Sequence, residues 1–480
     1  MNYKKVAHYL GTILLIEAVL LLLPVLIGLI YREKETVYFL ETIGILAAAG
    51  LILYRRKPSK NNLYSKEGYI IVALAWLLMS AFGALPFFIS GSIPNYMDAF
   101  FETVSGFTTT GSTILTDIES LPKCMLFWRS FTHFIGGMGI LVFVLAVMPK
   151  SEGSSIHIMK AEVPGPVVGK LVSKVTVTAR ILYGIYIGLT LLLIFLLRVV
   201  GFPLFDSIVS AFGTAGTGGF AVLNSSIGGY NNPSAEIIIS IFMMLFGVNF
   251  NLYYLLLIKQ WKSALKDEEL RWYLGVIFAA TFIIALDLTV TRHPFSESLR
   301  YSFFQVTSII STTGFTSVDY EMWPGITKAV LFILTFIGAC TGSTGGGLKI
   351  QRLAVLVKNG FRSVRKAANP RRVESIKLNG RTLEESVVNG ITGYFSMLML
   401  VIAISIIIVA LDGFDLTTTT TSVFTCINNV GPGFALVGPS GNFADFSILS
   451  KAVLSFDMLA GRLELIPIMM LFARMGSANK

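Results

Sequence analysis

Four short segments of this chain place small hydroxyl or amide residues and glycine directly after an apolar stretch: SGFTTTGST (105–113), GTAGTGGF (213–220), IISTTGF (309–315) and CINNVGPG (426–433). The chemistry open to such segments is that of their backbone. Non-helical backbone at membrane depth is tolerated only where it is buried in protein or lines water, so an extended Thr-Gly stretch there faces an aqueous path. Its carbonyl oxygens then become ligands. Oxygen dipoles from four loops converging on one axis can replace the hydration shell of a potassium ion. Glycine suits the turn because it accepts positive φ and lets backbone approach the ion closely. The hydroxyls of Thr109, Thr110, Thr312 and Thr313 are placed to tie the loops to their surroundings.

The elements that must position these loops are membrane helices. The chain has 480 residues, 54% hydrophobic and 14% charged, with apolar runs of bilayer-spanning length. That is the composition of a polytopic integral membrane protein. The first run, Val6 to Tyr31, carries Glu17 and lacks a small-residue cleavage site, so it reads as a retained helix. Spans are expected near 7–31, 36–55, 69–91, 125–149, 180–200, 236–258, 273–291, 328–357, 387–411 and 449–473. The basic clusters at Arg55–Lys60, Lys150–Lys174, Lys259–Lys266 and Arg362–Arg372 mark cytoplasmic loops by the positive-inside rule, with both termini inside. The net charge of +10 is thus a topology signal, and nucleic acid is not an expected partner.

The spans pair into a leading hairpin and four units, each with its glycine loop on the outer side. Before each loop lies a segment too short to cross: Met97 to Phe107, Phe205 to Ala215, Glu297 to Ile310 and Thr417 to Ile427. An 11-residue helix is only about 16 Å long, roughly half the hydrocarbon thickness. With C-terminal ends aimed at the cavity, four such half-helices favour a cation. An internal repeat supports the arrangement: FFETVSGFTTTG (100–111) and FFQVTSIISTTG (303–314) align without a gap at the Phe pair, the sixth-place Ser, the Thr pair and the Gly.

Two features below the loops point to a gate. Gly342-Ser343-Thr344-Gly345-Gly346-Gly347 interrupts the second helix of the third unit, where interior glycines each cost about 1 kcal/mol relative to alanine. It is no phosphate-binding loop, since Leu348 stands where GxxxxGK needs lysine. Arg462 falls about 13 residues into the last span, near mid-membrane, and is expected to meet pore carbonyls or Glu464. Cys124, Cys340 and Cys426 are spaced for packing; the histidines His8, His133, His157 and His293 lie in different segments and form no metal motif. No catalytic constellation is present, so an enzyme is not expected. A sodium- or proton-coupled symporter would use ionisable residues at the midplane, with Glu102, Asp206 and Asp457 as candidates; Glu102 and Asp206 are placed at half-helix starts, where a carboxylate favours the dipole.

The quartet of loops, with WRSFTHFIGGMGI (128–140), GACTGSTGGGLKI (338–350) and MLAGRLELIP (458–467), resembles the TrkH branch of the Trk/Ktr/HKT superfamily of potassium and sodium transporters. The resemblance covers essentially the whole chain. It implies an all-α fold of a leading two-helix hairpin (1–60) and four pseudo-repeats of membrane helix, pore half-helix and membrane helix around a central pore: 68–150, 173–262, 271–358 with a broken second helix, and 383–474, with a basic cytoplasmic connector at 359–382. It implies a potassium filter at Thr109, Thr110, Gly111; Thr217, Gly218, Gly219; Thr312, Thr313, Gly314; and Asn429, Val430, Gly431. K+ would sit at Thr110, Gly111, Gly218, Gly219, Thr313, Gly314, Val430 and Gly431. Ala215-Gly216 is the competing register in the second loop. Sodium-preferring plant relatives carry serine where this chain has Gly111, so four glycines favour potassium. The fourth loop, with Asn428, Asn429 and Pro432, is expected to be stiffer and less symmetric. The resemblance further implies an intramembrane loop that gates the pore, a homodimer in a bacterial inner membrane, and a cytoplasmic TrkA-like ring that binds any regulatory nucleotide, with no cofactor on this chain beyond the transported K+.

Overall fold

The computed structural model describes residues 3–56, 65–139, 175–291, 294–465 and 467–468. Apart from one two-residue β-hairpin, Lys377–Leu378 with Arg381–Thr382, the regular structure among them is helical. Six helices among the described residues are long and apolar enough to cross a bilayer: Tyr3–Tyr31, Thr36–Tyr54, Glu67–Ile89, Val177–Val199, Glu268–Val290 and Glu385–Asp412. The first two form the leading hairpin. Each of the other four opens one repeat.

Close backbone approach holds the leading hairpin together. A β-carbon on Gly11 would lie 2.5 Å from the Tyr54 nitrogen and 2.7 Å from the Gly50 oxygen, the kind of small-residue contact that joins helices where lipid removes a hydrophobic drive. The hairpin is then fastened to the first repeat by Glu33. Its carboxylate accepts the Lys123 and Cys124 N–H groups at 2.7 and 2.8 Å, two donors left unsatisfied at the start of helix Lys123–Gly137.

The half-helices follow the sequence expectation to within one residue at each end, save that the third starts two residues earlier than expected: Tyr96–Phe107, Leu204–Gly216, Phe295–Ile310 and Leu416–Ile427. Their starts are chemically defined. Asn95 caps the first through the Met97 N–H and Asp415 the fourth through the Thr418 N–H, while Pro203 and Pro294 precede the second and third. Large apolar side chains such as Leu26, Leu191, Phe195, Phe278, Phe282 and Ile407 remain exposed on the outer helices, as befits a surface solvated by lipid tails.

The second helices depart from the expected continuous spans. The 236–258 span is two helices, Pro233–Phe246 and Phe250–Leu257, bent by 92°. Asn249 stabilises the bend by accepting the Asn251 N–H at 2.9 Å. The 328–357 span is broken over 337–349, a wider gap than the glycine run alone, between Gly325–Phe336 and Ile350–Ala368. In the first repeat the helix ends at Gly137, and the remainder of the expected 125–149 span from residue 140 lies outside the described residues, as do His157, His293 and the whole Lys150–Lys174 cluster. In the fourth repeat the helix stops at Leu463, Glu464 takes φ +64°, and 469–473 lie outside the described residues. Averaged hydropathy does not register these breaks, because the few polar residues at them are outweighed by the apolar residues around them. The connector also differs from expectation: Asn359–Ala368 continues the preceding helix, and only then does the chain turn into the β-hairpin.

Candidate functional site

The four half-helices end in the same way. The residue two before each loop glycine is left-handed: Thr109 (φ 56°), Thr217 (55°), Thr312 (61°) and Asn429 (54°). Its N–H bonds three residues back, to Gly106, Thr214, Ile309 and Cys426; the next N–H bonds five back, to Ser105, Gly213, Ser308 and Thr425. This pair of bonds is the Schellman cap. Glycine normally occupies the left-handed position, yet three of the four residues here are β-branched threonines, a conformation costing of order 1–3 kcal/mol each. Strain of this kind persists only where the surroundings enforce it. Asn429 tolerates it more readily, so the fourth loop keeps the backbone of the other three instead of breaking the symmetry.

Two residues further on, Gly111 (φ 86°), Gly219 (77°), Gly314 (81°) and Gly431 (97°) are again left-handed. This repetition puts the equivalence in the second loop on Thr217, Gly218 and Gly219. Ala215 and Gly216 belong to the half-helix.

The loops close into a ring. A β-carbon on Gly111 would stand 2.1 Å from the Gly218 oxygen; on Gly219, 2.1 Å from Thr313 oxygen; on Gly314, 2.2 Å from Val430 oxygen; and on Gly431, 2.7 Å from Thr110 oxygen. Each glycine thus packs against the carbonyl that precedes the next repeat's glycine, in the order one, two, three, four and back to one. All four glycines border a single vestibule, together with Ser112, Thr113, Phe220 and Pro432. Each of the four loops thus brings a backbone carbonyl to the ring, directly after the C-terminus of its half-helix.

Side chains behind the ring fix it. Thr110 Oγ1 lies 2.8 Å from Thr108 Oγ1, and Thr313 Oγ1 lies 2.7 Å from Ser311 Oγ. Asn429 donates to Thr110 Oγ1 and to the Met458 carbonyl, both at 2.9 Å. Thr312 Oγ1 accepts from the Gly346 N–H at 2.7 Å, whereas the Thr109 hydroxyl is buried with no hydrogen-bond partner among the described residues.

Glu102 is not at a half-helix start. It is the seventh residue of Tyr96–Phe107, buried, with Arg129 Nε at 2.6 Å. It also accepts from Thr113 Oγ1 and Ile114 N at 3.0 Å, while Arg129 donates to the Ala221 carbonyl at 3.2 Å and lies over the Phe220 ring. This pair therefore braces the outgoing strands of loops one and two. Asp206 does sit in the first turn of its half-helix, bonded by Tyr230 Oη at 3.0 Å. Asp457 is buried and accepts from Ser405 at 2.9 Å.

Under the ring, the broken segment of the third repeat meets repeats two and four directly, and repeat one through Arg462. Phe250 N–H bonds the Gly342 carbonyl at 3.0 Å, and Thr344 Oγ1 donates to Phe246 at 3.1 Å. Gly345 packs on the Ser311 carbonyl, Gly346 on Asn429 and Gly347 near Asn428. Ser343 Oγ closes the turn onto Cys340, and Lys349 Nζ donates to Gly345. Arg462 spans the remaining distance, donating to Thr344 of repeat three at 2.6 Å and to Gly136 and Gly137 of repeat one at 2.5 and 2.7 Å. Opposite members of the ring thus share one guanidinium. The expected contact with loop carbonyls is there; Glu464 instead pairs with Arg352. The described residues contain no group of three or more His, Cys, Asp or Glu placed to hold a metal ion, and the three cysteines are buried thiols.

Residues 34–480 match the family model described as TrkH, cation transport protein. The chain belongs to the TrkH family. It is 36% identical to the Trk system potassium uptake protein TrkH of Escherichia coli K12, over 98% of this chain and 99% of that one. It is 32% identical to the Trk system potassium uptake protein TrkG of the same organism, over 98% of each. Among solved structures, the potassium transporter TrkH from Vibrio parahaemolyticus superposes with a TM-score of 0.89 at 31% identity, over 99% of both chains. With six apolar spans among its described residues, this TrkH family member is a multi-pass membrane protein of hairpin-plus-four-repeat architecture.

Proposed function

We propose that this chain is the potassium-translocating subunit of a bacterial Trk-type uptake system. K+ passes through a filter built from Thr109–Gly111, Thr217–Gly219, Thr312–Gly314 and Asn429–Gly431, coordinated by carbonyl oxygens around Thr110, Gly218, Thr313 and Val430. The observation that carries this reading is the closed cycle of glycine-to-carbonyl contacts joining all four loops, in a chain similar along its length to proteins named for potassium uptake. Gly342–Gly347 and Arg462 act as the gate, a reading supported by the packing of the loop on Ser311, Asn428 and Asn429 and by the guanidinium that ties it to repeat one. The protein sits in the inner membrane with both termini cytoplasmic, as a homodimer. The basic connector meets a TrkA-like cytoplasmic ring, and any nucleotide response belongs to that partner.

The test is cation flux into liposomes holding only this purified protein, comparing potassium, rubidium, sodium and lithium with and without a proton gradient. Passive flux favouring potassium and rubidium is expected. A requirement for sodium or protons would replace the channel reading with a coupled symporter and direct attention to Asp457, a buried carboxylate in the last helix.

A further inference from the structure

The residue before each ring glycine supplies the carbonyl that meets the preceding repeat, and its side chain differs between loops: Thr110, Gly218, Thr313 and Val430. Thr110 and Thr313 hold their loops through hydroxyl contacts two residues back, and Val430 is fully buried. Gly218 has no side chain to anchor it. Nor does its backbone demand glycine, because it is absent from the left-handed residues.

What occupies the space is His133, from the second helix of repeat one. A β-carbon on Gly218 would come within 2.4 Å of both Cγ and Nδ1 of the imidazole. The ring is held at both nitrogens. Nδ1 lies 2.7 Å from the Gly106 carbonyl, which can only accept, so Nδ1 carries the proton; Nε2 then accepts the Phe220 N–H at 3.3 Å. Gly106 is in the first half-helix and Phe220 follows the second ring glycine. The imidazole therefore links loops one and two from behind, packed against Phe220 at a centroid distance of 4.1 Å with the rings tilted by 35°. Gly216 completes the fit, since a β-carbon there would strike the His133 carbonyl at 2.2 Å.

We infer that His133 is a positioning residue for ion selectivity: it replaces, from a neighbouring repeat, the side-chain anchor that Gly218 lacks, and so sets the Gly218 carbonyl in the ring. The inference rests on the filter reading proposed above. It makes His133 and Gly218 one unit whose members are exchangeable only together.

The experiment measures the potassium-to-sodium flux ratio in liposomes for wild type, His133→Ala, Gly218→Thr and the double variant, each shown to be folded by size-exclusion chromatography. Losing the two hydrogen bonds that hold the imidazole behind loops one and two lowers the ratio by about tenfold in His133→Ala. Gly218→Thr alone, colliding with the ring, lowers it too. The double variant, with threonine filling the vacated space, recovers to within about threefold of wild type. A ratio unchanged in His133→Ala, or a double variant no better than either single one, overturns the inference. If His133→Ala does not fold, Gly218→Ala in the native background decides, because an unchanged ratio there shows that the ring does not constrain the loop. A wild type without potassium preference removes the filter reading itself, and that outcome is read before any variant.

Discussion

Gly111 and Gly218 touch across the boundary between the first two repeats: a β-carbon on Gly111 would lie 2.1 Å from the Gly218 oxygen, and Gly111 holds φ at +86°. Both constraints act on the same substitution. Gly111→Ser meets a steric penalty from the carbonyl and a left-handed backbone costing about 1–3 kcal/mol. Relief requires the Gly218 carbonyl to turn or retreat, which loosens its fit to a dehydrated potassium ion. The potassium-to-sodium permeability ratio is expected to fall by about tenfold or more, measured as a bi-ionic reversal potential or paired flux. An unchanged ratio would take Gly111 out of the ion path.

This much of the site was legible in the sequence because it is local. The half-helix bounds follow from a capping residue or proline at one end and a Thr-Gly or Asn-Val-Gly turn at the other, all within about a dozen residues. The second helices read as continuous because the short Gly247-Val248-Asn249 interruption is outweighed by the apolar residues on either side, so that 236–258 keeps the mean hydropathy of one span. Arg129 and His133 were missed as supports for the loops. Both lie in WRSFTHFIGGMGI, but their partners Glu102, Gly106, Phe220 and Ala221 are distant in sequence. A buried-span Arg was the available signal, since such a charge needs a partner.

Glu102 and Arg129 supply a stability prediction. Both are buried, so Glu102→Gln leaves a guanidinium without its counter-charge, at a cost of about 3–5 kcal/mol. The thermal unfolding midpoint in detergent is expected to drop clearly. Replacing both partners, Glu102→Gln with Arg129→Met, recovers a large part of the loss. Equal midpoints for the single variant and wild type would remove the pair as a structural brace.

Arg462 joins carbonyls of repeats one and three directly below the ring. Removing its charge in Arg462→Ala is expected to raise potassium flux by about tenfold, a modest fraction of the repulsion a cation meets near a fixed positive charge at low effective dielectric. Arg462→Lys keeps the charge but not the fork that spans three carbonyls, and should fall between the two. Initial rubidium uptake rates in liposomes at matched protein density check this. Identical rates would move Arg462 off the permeation path.

Shortening the intramembrane loop tests the other half of the gate. Deleting Gly345 to Gly347 removes the residues packed on Ser311, Asn428 and Asn429, withdrawing the obstruction while sparing the Arg462 side chain. Single-channel recording should show a higher open probability in protein that still elutes as folded. A lower one would assign the loop a supporting role for the ring instead of a gating role.

The claim at the centre of the account is that the Thr110, Gly218, Thr313 and Val430 carbonyls form one ion-coordinating ring. Anomalous diffraction from crystals grown in rubidium or thallium tests it most directly. The account predicts anomalous peaks on the axis, in contact with those four oxygens and lost when sodium replaces rubidium. Peaks only elsewhere, or none on the axis at full rubidium occupancy of the solvent, would contradict it.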